Sequence, residues 1–104
     1  MTSRLETFRG MVAKNPSNPL GHLGLANEAM KEGLWEEARA HYESYLGMHD
    51  DEGNAYGRLA EAYERLGRYD DARTALESGI AAANRHGHPG MAQEFELRLD
   101  ELGS

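Results

Sequence analysis

The chain has 104 residues, 39% hydrophobic and 28% charged, with a net charge of −7. That suits one domain over residues 1–104, and an acidic surface disfavours nucleic-acid binding by repelling phosphate backbones. There is no cysteine, which excludes disulfides, thiolate catalysis and Cys-ligated metals.

No apolar run approaches the roughly 18–20 residues that cross a bilayer. The start, Met1-Thr2-Ser3-Arg4-Leu5-Glu6, lacks the apolar stretch of a secretory signal, so a cytoplasmic protein without membrane contacts is expected. β-branched residues are scarce and apolar residues recur at helical spacing, which predicts an all-α fold of about six helices.

Ser3-Arg4-Leu5-Glu6 reads as a capping box opening a helix over 3–14, with Leu5, Phe8, Met11 and Val12 on one stripe. Asn15-Pro16-Ser17-Asn18-Pro19 ends it, because the prolines prevent continuation. Asn18 caps the second helix and Pro19 suits its first position; Leu20, Leu23, Leu25, Ala26, Ala29 and Met30 follow at helical spacing until Gly33. A third helix from Trp35 to Met48 turns Ala38, Tyr42, Tyr45 and Leu46 inward. The fourth carries Tyr56, Leu59, Ala60 and Tyr63 and stops at Gly67; the fifth carries Tyr69, Ala72, Leu76 and Ile80 and stops by Gly87. Pro89 opens a sixth helix over 89–102, with Met91, Phe95, Leu99 and Leu102 on one face. Charge is uneven along this order: residues 1–27 carry a net +2, 28–52 a net −6, and 87–104 a net −3.

Sliding the chain against itself by 34 residues aligns 19–50 with 53–84. Leu25, Ala26, Gly33, Ala38, Arg39, Glu43 and Ser44 then fall on Leu59, Ala60, Gly67, Ala72, Arg73, Glu77 and Ser78. Small and large residues thus recur where helix packing needs them, and the chain reads as two stacked helix pairs between single flanking helices.

These residues resemble the tetratricopeptide repeat family. The second unit carries Tyr56-x-x-Leu59-Ala60-x-x-Tyr63, then Gly67-Arg68-Tyr69 and Ala72; the first carries His22-x-x-Leu25-Ala26, then Gly33-Leu34-Trp35, Ala38 and Tyr42. The helix over 3–14 resembles the second half of a preceding repeat, with Phe8 and Met11 leading to Pro16, and 89–102 resembles the family's C-terminal capping helix. The whole chain looks like the small stand-alone tetratricopeptide proteins of bacteria.

The resemblance implies an α-solenoid of antiparallel helix pairs whose first helices line a concave face that binds a peptide or a partner's helix. Carried onto this sequence, the implied contact residues are Leu20, Leu23, Gly24, Asn27, Met30 and Lys31 in the first unit. In the second they are Asn54, Gly57, Arg58, Glu61, Glu64 and Arg65. Asn27 suits a peptide backbone, Arg58 a carboxylate held by two hydrogen bonds, and Gly24 and Gly57 leave room for close approach. The two-carboxylate clamp with which some members hold chaperone tails is matched only at Asn27, since Leu23 stands for its lysine and Arg58 for an asparagine.

The expected function is therefore a non-catalytic adaptor or scaffold with a protein partner and no cofactor or metal. The alternative is a self-associating protein forming a symmetric homodimer through its terminal helices. Other motifs read as structural. His86-Gly87-His88 lacks a third metal ligand, and His22, His41, Trp35 and Tyr69 read as packing residues. Glu36-Glu37 and Asp70-Asp71 complement helix dipoles, and Asp50-Asp51-Glu52 caps the fourth helix.

Overall fold

The computed structural model describes residues 3–103. Six helices follow one another: α1 (Arg4–Lys14), α2 (Pro19–Lys31), α3 (Trp35–Met48), α4 (Asn54–Arg65), α5 (Tyr69–Arg85) and α6 (Pro89–Leu102). The described residues contain no strand.

The helix ends follow from local chemistry. Ser3 Oγ accepts from the Glu6 amide at 3.1 Å, and Asn18 Oδ1 accepts from the Leu20 amide at 3.1 Å. Both satisfy amides that a first turn leaves without a partner. Helices α2, α4 and α5 all end in one way. Gly33, Gly67 and Gly87 take φ of +73°, +74° and +76°, and the next amide reaches back: Leu34 to Ala29 O, Arg68 to Tyr63 O, His88 to Ala83 O, at 2.9, 2.8 and 2.7 Å. Only glycine enters this left-handed region freely, which is why it recurs at the stops.

The chain divides after Asp50 into two compact units. In the first, α2 packs against both α1 and α3. Leu25, Ala26, Ala29, Ala38, Tyr42 and Tyr45 are buried. The Phe8 ring occupies the space over Gly24, where a Cβ would lie 2.2 Å from Phe8 Cε1. Arg9 grips Glu37 through two hydrogen bonds of 2.8 and 2.7 Å, tying α1 to the start of α3. Arg4 Nε donates to Glu28 at 2.8 Å. The guanidinium contacts hold both Glu28 and Glu37 below the ordinary carboxylate range.

In the second unit, α5 packs against both α4 and α6. Ala55, Leu59, Ala60, Ala62, Tyr63, Ala72, Ala75, Leu76, Ala82 and Ala83 form its core with Ala92 and Phe95. Phe95 sits where cross-helix neighbours are glycines: a Cβ at Gly57 or Gly79 would come within 2.8 or 2.9 Å of its ring. Trp35 is half-buried beside Gly33, as a packing residue should be, but its repeat counterpart Tyr69 is 52% exposed. The packing role expected for Tyr69 is thus not met; it begins α5 on the solvent side.

The start of α4 is built from a buried carboxylate. Asp51 Oδ2 accepts from the amides of Gly53 and Ala55, both at 2.9 Å, and the residue is only 8% exposed. Gly53 follows at φ +137°, with α6 so near that a Cβ would lie 2.7 Å from Met91 Sδ. Asp51→Ala should destabilise the fold by about 1–2 kcal/mol, because two amides lose their acceptor where water has little access. Asp51→Asn, which keeps an acceptor oxygen, should retain most of that stability; urea melts of the three proteins check the order.

Candidate functional site

Helices α4 and α6 bound a groove of about 480 Å³ lined by Asn54, Gly57, Arg58, Glu61, Met91, Glu94, Phe95 and Arg98. Three of the residues picked from sequence, Asn54, Arg58 and Glu61, line it and are exposed. They fall on one side of α4 because they recur every three or four positions. Gly57 forms the floor, but its space is filled by Phe95, so the room expected there serves α6 and not a ligand. Gly24 is corrected in the same way by Phe8.

Arg98 is already engaged. Its Nη2 donates to Gly57 O at 3.1 Å and to Glu64 Oε2 at 3.3 Å, and its guanidinium carbon lies 5.8 Å from the Phe95 ring centre. This consumes Glu64 as well. Arg58, Asn54, Glu61 and Glu94 have no hydrogen-bond or ion-pair partner among the described residues. Arg65 is exposed on α4 but lies outside the groove lining.

The picked residues of the first unit all lie on α2. Leu20 is 66% exposed, Leu23 and Met30 are half-buried, and Lys31 is exposed with its Nζ 3.3 Å from Glu28 Oε1. Asn27 is partly turned to the interior, where its Oδ1 accepts from the fully buried Tyr42 hydroxyl at 2.6 Å. Its amide nitrogen is left as the group able to donate outward.

The Tetratricopeptide repeat family model matches residues 29–93, from the end of α2 into α6. The chain belongs to the tetratricopeptide repeat family. No curated protein sequence matches it. Among solved structures it is similar to PcrH in complex with the chaperone-binding region of PopD. That match has TM-score 0.85 and 23% identity, and covers 95% of this chain and 75% of that one. It is also similar to protein BPP2914 from Bordetella parapertussis, with TM-score 0.80 and 25% identity over 99% of this chain and 90% of that one. The fold is thus a tetratricopeptide-like helical repeat.

Sequence reasoning missed Met91, Glu94, Phe95 and Arg98 as groove residues. It assigned the apolar stripe of α6 to capping. In this tetratricopeptide chain the same stripe that seats α6 on α5 also brings its flanking polar positions over α4.

Within the tetratricopeptide pattern, His22 stands at a large-residue position, and it packs there with a polar twist. His22 Nε2 lies 2.7 Å from Pro16 O, which can only accept, so that nitrogen carries the proton. Its Nδ1 lies 2.9 Å from His41 Nδ1, so the two rings share a hydrogen bond while stacking on each other. Burial, then the neighbouring His22, push His41 below the ordinary histidine value, partly opposed by Glu37. The unfolded chain therefore binds the His41 proton at higher pH than the folded one. The stability linked to His41 should be complete above about pH 6.5 and should fall as pH drops from there toward its lowered folded value. Thermal melts at stepped pH check this, and His41→Gln should flatten the dependence.

Proposed function

We propose that this chain is a non-catalytic interaction module, a cytoplasmic adaptor that holds a segment of a partner protein against the α4–α6 groove. The observation that carries the reading is the set of unpaired polar groups, Asn54, Arg58, Glu61 and Glu94, gathered beside the Met91 and Phe95 side chains. Arg58 offers a carboxylate two parallel hydrogen bonds. Glu61 and Glu94 suit a lysine or arginine, and Asn54 can pair with a peptide amide. Met91, half-buried and unbranched, adapts to the shape of an apolar anchor. The α2 positions Leu20, Leu23, Asn27, Met30 and Lys31, and Arg65 on α4, are included as contact residues. PcrH, on the same fold, is in complex with a region of another protein, which supports a protein segment as the ligand.

The reading is tested with phage-displayed random peptides selected on the full chain and then measured by calorimetry. Arg58→Glu should weaken the selected peptides about 10- to 100-fold, the scale of a lost charge-assisted hydrogen bond of ~1.5–3 kcal/mol. The melting temperature should hardly change, because Arg58 is exposed. Peptides that bind Arg58→Glu and Glu61→Arg as tightly as the parent would overturn the groove assignment.

A further inference from the structure

Three contacts fix how α4 and α6 lie beside each other. A Cβ at Gly53 would come within 2.7 Å of Met91 Sδ, and one at Gly57 within 2.8 Å of the Phe95 ring. Farther along, Arg98 Nη2 donates to Glu64 Oε2 at 3.3 Å. Residue numbers rise together along both helices, so α4 and α6 run in the same direction with Gly57 level with Phe95. The groove between them therefore has two different ends.

That register places each free group along the groove. With Gly57 and Phe95 as the origin and a rise of about 1.5 Å per residue, Met91 lies about 6 Å toward the helix starts, Asn54 about 4.5 Å and Glu94 about 1.5 Å. Toward the helix ends, Arg58 lies at about 1.5 Å and Glu61 at about 6 Å. Met91 and Glu94 belong to the α6 wall, and Asn54, Arg58 and Glu61 to the α4 wall. The four polar residues are exposed and unpaired among the described residues. Phe95 is only 4% exposed, so the apolar surface left to a visitor is at the Met91 end.

An extended segment advances about 3.3 Å per residue and points alternate side chains to opposite sides. Laid in the groove, it meets the two walls in turn. A residue opposite Arg58 has its neighbour, on the helix-start side, level with Glu94 on the other wall. Two residues away on the Arg58 wall lie Asn54 in one direction and Glu61 in the other, at about 6 and 4.5 Å, against about 6.6 Å for two extended residues. Met91 falls on the α6 wall two residues beyond Glu94. One extended strand thus meets both the spacing and the alternation of walls.

Resting on the groove as the binding site, we infer that its occupant is an extended segment of another protein with a fixed order of side chains: from the Met91 end, apolar, polar, basic, acidic, any residue, basic. The apolar residue packs on Met91, and Asn54 holds the polar one. The inner basic residue meets Glu94, the acidic one meets Arg58, and the outer basic one meets Glu61. The same order rejects other segments. A run of acids sets like charges against Glu94 and Glu61, and a run of bases sets one against Arg58.

The test sorts random dodecapeptides, displayed on phage and selected on the full chain, by whether Arg58→Glu weakens them. Those it weakens should share the order, in either chain direction. Scrambling their charged positions at constant composition should weaken binding about tenfold or more, and high salt should weaken it further. Binding lost in Glu61→Arg should return when the peptide's outer basic residue becomes glutamate, and not when the inner one does; Glu94→Arg should show the reverse. All three substituted positions are exposed, so circular dichroism and melting temperature should match the parent. If the peptides weakened by Arg58→Glu lack the order or tolerate scrambling, the inference falls while the groove remains a binding site. If no selected peptide depends on Arg58, the inference and the groove assignment fall together.

Discussion

Each of the two units, taken by itself, depends on how closely its own helices approach. Most of the buried hydrophobic residues are alanines, and side-chain volume at the contact sets the spacing between helix axes. At Gly24, Gly57 and Gly79 even alanine would be too large, because an aromatic ring from a neighbouring helix stands there. A glycine inside a helix costs about 1 kcal/mol relative to alanine. Burial of a phenylalanine side chain returns roughly 1.5–3 kcal/mol. Phe95 is 4% exposed and spans two such glycines, so its gain is of the same size as their joint cost. What the arrangement adds is position: a ring seated between Gly57 and Gly79 fixes where α6 lies on α4 and α5. The groove between α4 and α6 takes its shape from that seating.

Much of this architecture is written locally. A helix stop needs a residue that enters the left-handed region, and Gly33, Gly67 and Gly87 mark three stops on inspection. Ser3, Asn18 and Asp51 announce helix starts because a short polar side chain reaches only the amides just ahead of it. The period of 34 is equally plain, since paired helices of fixed length repeat their packing residues in register. The family model matches across most of that repeat.

What sequence could not show are the features set by a distant chain segment. Room beside Gly24 or Gly57 looks like room for a ligand until the ring that fills it is placed. Asn27 looks like a free amide until Tyr42 claims its carbonyl. Tyr69 aligns with Trp35, but the alignment records a position in the helix pair and not whether a neighbour covers it. The α6 contribution to the groove was hidden for the same reason: a stripe of Met91, Phe95, Leu99 and Leu102 states that a face is buried, not which helix it meets.

The division of polar groups argues for binding over stability as the role of the groove. Among the described residues, no buried side-chain nitrogen or oxygen lacks a hydrogen bond. Tyr42 is satisfied by Asn27, His22 by Pro16 and His41, and Asp51 by two amides. A buried polar atom without a partner costs roughly 1–3 kcal/mol, so the interior is matched group by group. At the groove the matching stops. Arg98 and Glu64 are consumed in holding α6 on α4, but Arg58, one residue along from the floor glycine, is not. Neither are Asn54, Glu61 and Glu94. These groups add nothing to the packing of either helix, and they stand at the rim of a concave surface with apolar side chains between them. That combination is what a partner segment needs: a place to bury an anchor, and fixed donors and acceptors around it to set direction and register.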